Sequence, residues 1–259
     1  MVYTTYESIT VDVVDGVATI EFHRPEVYNA LNNAVMLDLR RAFAEIQLDR
    51  SIDVVVVTGE GDDAFSAGAD ISQYAGPASE HDPLQMDRQE LFYTMYRAPY
   101  DCHAPVIAKI NGYCVGGGLI FAMYCDLRVA VDDAKFGVPT ANIGQIPTGG
   151  STKRAIELVG EAKAKEIVYT AGMIEAPEAE QIGLINHAVP AAELDATVDE
   201  LIAAIQDTGR KAVKNSKRAF NNSARTPDFE EARAFEAEVW WEQFATDERE
   251  ELVRQFNDG

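Results

Sequence analysis

Cysteine is scarce: Cys102, Cys114 and Cys125 are the whole complement of 259 residues. An odd count without Cys-x-x-Cys spacing argues against a disulfide framework or a ribbon-type zinc site, and the three read as free thiols packed as small hydrophobes. The four histidines are scattered, so no metal site is expected. Basic residues are also few. Lys and Arg number 22 against 43 Asp and Glu, a formal net charge of −21 at pH 7. Such a field repels nucleic acid, whose binding needs cations to displace phosphate counterions, so no nucleic-acid partner is expected. It suits a salt-rich, halophilic setting, because the screening length falls to ~3 Å at 1 M. Long hydrophobic runs are missing too. None approaches the ~20 residues of a membrane span, and Met1 to Glu7 lack the basic and apolar regions of a signal peptide. The expectation is a cytoplasmic protein with no membrane contact.

What is present is a large apolar fraction, 47%, spread along the chain. That is enough for one α/β core with a helical appendage. Ile9 to Val14 and Val17 to Phe22 alternate on either side of Asp15-Gly16, which predicts a β-hairpin. Ala34 to Gln47 carries Met36, Leu37, Leu39, Phe43 and Ile46 at near-helical spacing. Asp53 to Gly59 contains an unbroken apolar strand of the kind buried on both faces of a parallel sheet. Val106 to Ile110 and Leu127 to Val131 read as further strands, so strands alternating with helices predict right-handed βαβ crossovers. From about Ser151 the pattern is helical, with one extended piece at Leu184 to Val189. Between Ser72 and Arg97, a polar loop (Gly76 to Pro83) leads into a helix carrying Met86, Leu91, Phe92, Met95 and Tyr96. This excursion reads as a lid or pocket wall.

Two small-residue turns carry the chemistry. Gly116-Gly117-Gly118 opens an apolar run ending at Cys125-Asp126, and Ala67-Gly68-Ala69-Asp70 lies well upstream. At each, backbone N–H groups can approach a ligand without side chains in the way. Converging from separate loops, they would form an oxyanion hole for the charge that develops on a thioester carbonyl.

The order and spacing of several stretches resemble the crotonase superfamily, the enoyl-CoA hydratase/isomerase family, over essentially the whole chain. They are His23-Arg24-Pro25 with Asn29-Ala30-Leu31-Asn32, then Phe65-Ser66-Ala67-Gly68-Ala69-Asp70-Ile71. Pro105 to Tyr113 follows with the three glycines, then Cys125-Asp126-Leu127, Phe136-Gly137-Val138-Pro139, Ile143-Gly144 and Gly149-Gly150-Ser151. The resemblance implies an α/β fold with a ββα spiral core over residues 1–200 and a C-terminal helical oligomerisation or lid region over 201–259. It also implies a homotrimer or homohexamer and an acyl-CoA thioester substrate, with coenzyme A present as part of the substrate and no permanently bound cofactor. It places the oxyanion donors on the N–H groups of Ala69 and Gly117.

Relatives in that family place one glutamate two residues after the third glycine and another after the Phe-Gly-x-Pro turn. Isomerase-type relatives often place an aspartate after the later Ile-Pro pair. Here those positions are Ile120, Thr140 and Thr148. General acid–base catalysis contributes ~10²–10⁴-fold, so ordinary hydration would be crippled unless another group substitutes. Three readings follow: an acyl-CoA enzyme of altered chemistry (decarboxylation, hydrolysis or C–C cleavage), a hydratase or isomerase with relocated groups, or a non-catalytic acyl-CoA binder. The relocated candidates are Tyr74, Asp87, Glu90, Tyr93, His103, Trp240 and Glu242. Thr140 and Thr148 are the candidates for polar contact with the acyl group. For the coenzyme A moiety the candidates are Arg24, Ala30, Ala67, Asp70 and Ile71. Lys217, in the basic stretch Lys211, Lys214, Lys217 and Arg218, is the candidate for the 3′-phosphate.

Overall fold

A computed structural model describes residues 3–74 and 83–258, excluding the side chains of residues 73, 74, 83–88 and 258. Strands β1 (Ile9–Val14) and β2 (Val17–Phe22) form the expected hairpin, in register from Ile9↔Phe22 to Val14↔Val17. Asp15 and Gly16 both take positive φ, 49° and 80°, which gives the turn a twist matching the strands it joins. Helix α1 (Asn33–Leu48) starts where the Asn32 side chain accepts from the Val35 N–H. Strand β3 (Val54–Gly59) is buried at all six positions and lies parallel to β2.

From β3 onward the chain winds in ββα turns. The first comprises β3, β4 (Ala64–Ser66) and α2 (Pro83–Asp101), and the second β5 (Val106–Ile110), β6 (Tyr113–Val115) and α3 (Gly117–Tyr124). The third comprises β7 (Leu127–Val131), β8 (Lys135–Gly137) and α4 (Ser151–Val159). Each turn places its first strand in one sheet and its second in another. Elements α5 (Glu161–Thr170), β9 (Ile174–Glu175), α6 (Ala176–Gln181) and β10 (His187–Val189) complete the two sheets. Their strand orders are β1-β2-β3-β5-β7-β10 and β4-β6-β8-β9. Helix α7 (Leu194–Gln206) packs on β3, β5 and β7, and α8 (Arg210–Ser223), α9 (Phe229–Phe244) and α10 (Asp247–Asp258) end the chain.

All eight residues of α3 are buried, and the helix is wedged beside both sheets. Phe121 of α3 meets Phe22 of the larger sheet at 5.9 Å between ring centroids and Phe65 of the smaller at 6.5 Å. Burying one such ring stabilises the fold by roughly 1.5–3 kcal/mol. At the far end of α3 the buried Arg128 guanidinium donates to the Ala122, Cys125 and Leu184 carbonyls, and burial pushes its pKa down to about 10. A cation there complements the negative end of the helix dipole, while the positive end faces the Gly116 turn. All three cysteines are free and buried, and burial pushes the Cys125 thiol up to about 12, which makes it a poor nucleophile.

Candidate active site

Two loops meet at the N-terminus of α3. The Leu31 N–H donates to the Gly68 carbonyl, and the Asp70 N–H to the Leu31 carbonyl. Because the peptide between Gly68 and Ala69 is trans, the Ala69 N–H points away from Leu31, toward α3. Opposite it, Gly116 turns at φ 53° with its N–H donating to the Gly137 carbonyl, and Gly117 begins the helix. The Gly117 N–H belongs to the first turn, where no intrahelical carbonyl can accept it.

Glycine is what lets these backbones touch. A Cβ on Gly68, at φ +90°, would sit 2.6 Å from the Gly117 nitrogen and 2.7 Å from the Val115 oxygen. A Cβ on Gly117 would lie 3.2 Å from the Ala69 nitrogen. Ala69 and Gly117, the two expected donors, are therefore brought together. Such a pair can hold one developing oxyanion by hydrogen bonds aided by the helix dipole. The loop below is fixed by Ser66, whose hydroxyl donates to the Asn29 carbonyl and accepts from the Gly68 N–H. Asn29 is itself buried in the left-handed region (φ 55°), with its amide donating to the Glu60 and Ala64 carbonyls.

Helix α2 forms the facing wall. A cleft of about 440 Å³ is lined by Gln89, Glu90, Tyr93, Gly149 and Gly150. The Thr148 hydroxyl donates to Gln89 Oε1 at 2.9 Å, so its side chain is turned to this wall. Thr140 sits in a 3₁₀ turn, Pro139–Ile143, and its buried hydroxyl finds no partner among the described residues. Ile120 is only 2% exposed and belongs to the hydrophobic core. Of the relocated acid candidates, Glu90 and Tyr93 border the cleft, and the Tyr93 hydroxyl accepts from Arg97 at 2.5 Å. His103 lies elsewhere, in a basic cavity of about 800 Å³. Glu242 is paired with Arg218 at 2.6 Å, and Trp240 packs against Trp241 and Phe244. The side chains of Tyr74 and Asp87, and the loop over 76–82, lie outside the described residues.

Arg24, Ala30 and Asp70 are brought together. Arg24 Nη1 donates to the Ala30 carbonyl at 2.7 Å and meets Asp70 Oδ2 at 3.2 Å. Hydrogen bonds from Ser72, together with Arg24, hold the Asp70 carboxyl below its ordinary range. The Ala67 N–H is used by the Tyr28 carbonyl, and Ile71 is exposed on the same loop. Lys217 is a correction. Its ammonium is buried and donates to the Pro99 and Ala104 carbonyls at 2.8 and 2.9 Å and to Asp126 Oδ2 at 2.6 Å. All three donors are used, leaving none for a phosphate. It also sits past the C-terminal end of α3, about 12 Å of helix from Gly117 by the usual rise per residue.

The sequence matches the enoyl-CoA hydratase/isomerase family profile over residues 12–258. Among similar proteins is a crotonyl-CoA hydratase of Syntrophomonas wolfei, 35% identical over 254 residues, spanning 97% of this chain and 95% of that one. A short-chain-enoyl-CoA hydratase of Clostridium acetobutylicum is 36% identical over 241 residues, 93% of this chain and 90% of that one. The crystal structure of an enoyl-CoA hydratase from Bacillus anthracis superposes with a TM-score of 0.91 at 30% identity, covering 97% and 96% of the two chains. The spiral core and the C-terminal helical region are those of that fold.

Proposed function

The chain belongs to the enoyl-CoA hydratase/isomerase family, and from that premise we propose that it processes acyl-CoA thioesters through an enolate held by the Ala69 and Gly117 N–H groups. The observation that supports this reading is the close approach of the Gly68 and Gly117 backbones, which brings the loop of Ala69 against the first turn of α3. Donors fixed before the reaction cost no reorganisation as charge develops, and one such donor contributes roughly 2.7–4 kcal/mol in other oxyanion holes. Coenzyme A enters as part of the substrate, with no permanently bound cofactor. Arg24, Ala30, Ala67, Asp70 and Ile71, clustered along the loop that leads to Ala69, form its binding edge.

The wall where relatives of this family carry acids is apolar or hydroxylic here: Ile120, Thr140 and Thr148. An isoleucine moves no proton, and a threonine hydroxyl can position a substrate group but is a poor base. The reactions favoured are those whose enolate forms without abstraction by those acids. In decarboxylation of a malonyl-type thioester, the C–C bond to the carboxylate breaks and CO₂ leaves. The electron pair passes into the thioester as an enolate, and the α-carbon then takes a proton. Hydrolysis or C–C cleavage of an acyl-CoA uses the same donors. Thr140 and Thr148 contact the acyl group. A binder without catalysis is the second reading, favoured by the same missing carboxylates. The C-terminal helices, with Phe229, Trp241 and Phe256 exposed, are assigned to a homotrimer or homohexamer.

The test is turnover at molar KCl of crotonyl-CoA and of a malonyl-type thioester, followed by thioester absorbance and CO₂ release. The proposal expects slow hydration and faster decarboxylation, hydrolysis or cleavage. Hydration at ordinary family rates would contradict the altered chemistry, and thioester binding with no turnover of any substrate would leave the binder.

A further inference from the structure

The charge of this acidic chain reverses sign in one cavity. Arg50, Lys211, Lys214, Lys217, Arg218 and Arg225, six of its 22 Lys and Arg, line the space of about 800 Å³ beside His103. Of the 43 Asp and Glu, only Asp101 lines it among the described residues. The cavity lies between the ends of α1 and α2 on one side and α8 and α9 on the other. Helix α8 turns one face to it, with Lys211, Lys214, Arg218 and Asn222 three or four residues apart.

Part of this charge is already answered. Lys217 is held by Asp126 and two carbonyls, and Arg218 meets Glu242 at 2.6 Å. Lys214 reaches Asp53 Oδ1 at 3.3 Å. Arg225 comes only within 3.9 Å of Asp101, which takes two hydrogen bonds from Arg97. Arg50 and Lys211 are exposed, and their charged groups have no ion-pair partner among the described residues. Lys211 engages Glu248 through its backbone N–H alone. The C-terminal ends of α1 and α2 contribute about half a negative charge each, which balances one cation and not the set. In a chain with a net charge of −21, a neighbouring Asp or Glu could have removed the remaining repulsion. A bound anion removes it as well, and a cavity lined by one sign of charge concentrates such an anion.

We propose that this cavity is a second ligand site, which takes a small organic polyphosphate of the nucleoside di- or triphosphate class. Small-molecule sites span roughly 300–1,000 Å³, and this one falls within that range. From Lys211 to Asn222 the α8 face runs roughly 16 Å, more than a single phosphate group can touch. Lys ammonium and Arg guanidinium groups make the charge-assisted hydrogen bonds that phosphate oxygens accept. The site is separate from the acyl-CoA cleft. Lys217 on its wall is bonded to Asp126, past the C-terminal end of α3, whereas Gly117 begins that helix.

The experiment is calorimetric titration of the full-length protein with ATP and with inorganic tripolyphosphate, at one fixed KCl concentration without divalent cations. Arg50→Glu and Lys211→Glu reverse exposed charges that hold no ion pair, so both variants should fold. Arg40→Glu, at an exposed position on α1 outside the cavity lining, makes the same change in net charge. The proposal expects one polyphosphate per chain, bound about tenfold or more weakly by each cavity variant and nearly unchanged by Arg40→Glu. It also expects butyryl-CoA not to displace the bound tripolyphosphate. No binding of either probe, or an equal loss in Arg40→Glu, overturns the proposal. Displacement by butyryl-CoA overturns it too, by showing that the cavity serves the phosphates of the substrate. A protein that binds polyphosphate but no acyl-CoA contradicts the acyl-CoA reading and leaves this site standing.

Discussion

Replacing Lys217 by methionine removes a charge while keeping most of the aliphatic stem. Three acceptors then lose their donor. Two are the carbonyls of Pro99 and Ala104, at the end of α2 and just beyond it, and the third is Asp126 Oδ2. Asp126 retains the Val106 N–H at 2.7 Å, so its charge is not stranded completely. A buried acceptor left without a partner costs about 1–3 kcal/mol, and breaking a buried ion pair from one side costs about 3–5 kcal/mol. Asp126 is a quarter exposed, so the lower part of that span applies and a loss of about 3–4 kcal/mol is expected. The assay is urea unfolding at fixed molar KCl, read as a shift in midpoint at constant slope. Alongside it, the affinity of the folded variant for a saturated acyl-CoA should be unchanged. Wild-type stability combined with weakened affinity would refute the structural role and restore Lys217 as a phosphate ligand.

Gly68→Ala forces a side chain into left-handed backbone and against the Gly117 nitrogen and Val115 oxygen. Strain and overpacking together should cost about 2–4 kcal/mol, and the displaced loops should abolish enolate stabilisation. Wild-type stability and an unaltered acetoacetyl-CoA spectrum would show that the two loops are not in contact. His103 makes a pH prediction. Burial, then the nearby Lys214 and Arg50, push its pKa down to about 4, whereas an unfolded histidine titrates near 6.5. Between those values the unfolded chain binds the extra proton, so stability falls as pH drops from about 6.5 toward 4. Allowing for solvent screening of a half-buried ring, the loss is about 1–2 kcal/mol. Denaturation of His103→Gln across that window should lack this contribution, and an identical pH slope in both proteins would remove His103 as its source.

The larger sheet was legible in the sequence because its strands are long enough to show a pattern. Four consecutive valines in β3 and the alternation around Asp15-Gly16 leave little choice of conformation. Strands β4, β6, β8 and β9 are two or three residues each, too short for any period, and they form only because the spiral brings them side by side. The glycines of the site were legible for the same local reason: a turn that needs an absent side chain is written in one or two residues. Lys217 was not. With Lys211 and Lys214 it reads as a basic stretch able to take a phosphate, and only the contacts of α8 with Pro99, Ala104 and Asp126 turn it inward.

The most direct test of the paired N–H site is the vibrational frequency of a bound thioester carbonyl. Crotonyl-CoA labelled with ¹³C at C1 would be bound at saturating protein and its carbonyl band recorded by difference infrared spectroscopy. Two strong donors on one oxygen lengthen the C=O bond, so the band should move to lower frequency on binding and return toward its solution position in Gly68→Ala. A thioester that binds tightly with its carbonyl band unmoved would contradict the central claim.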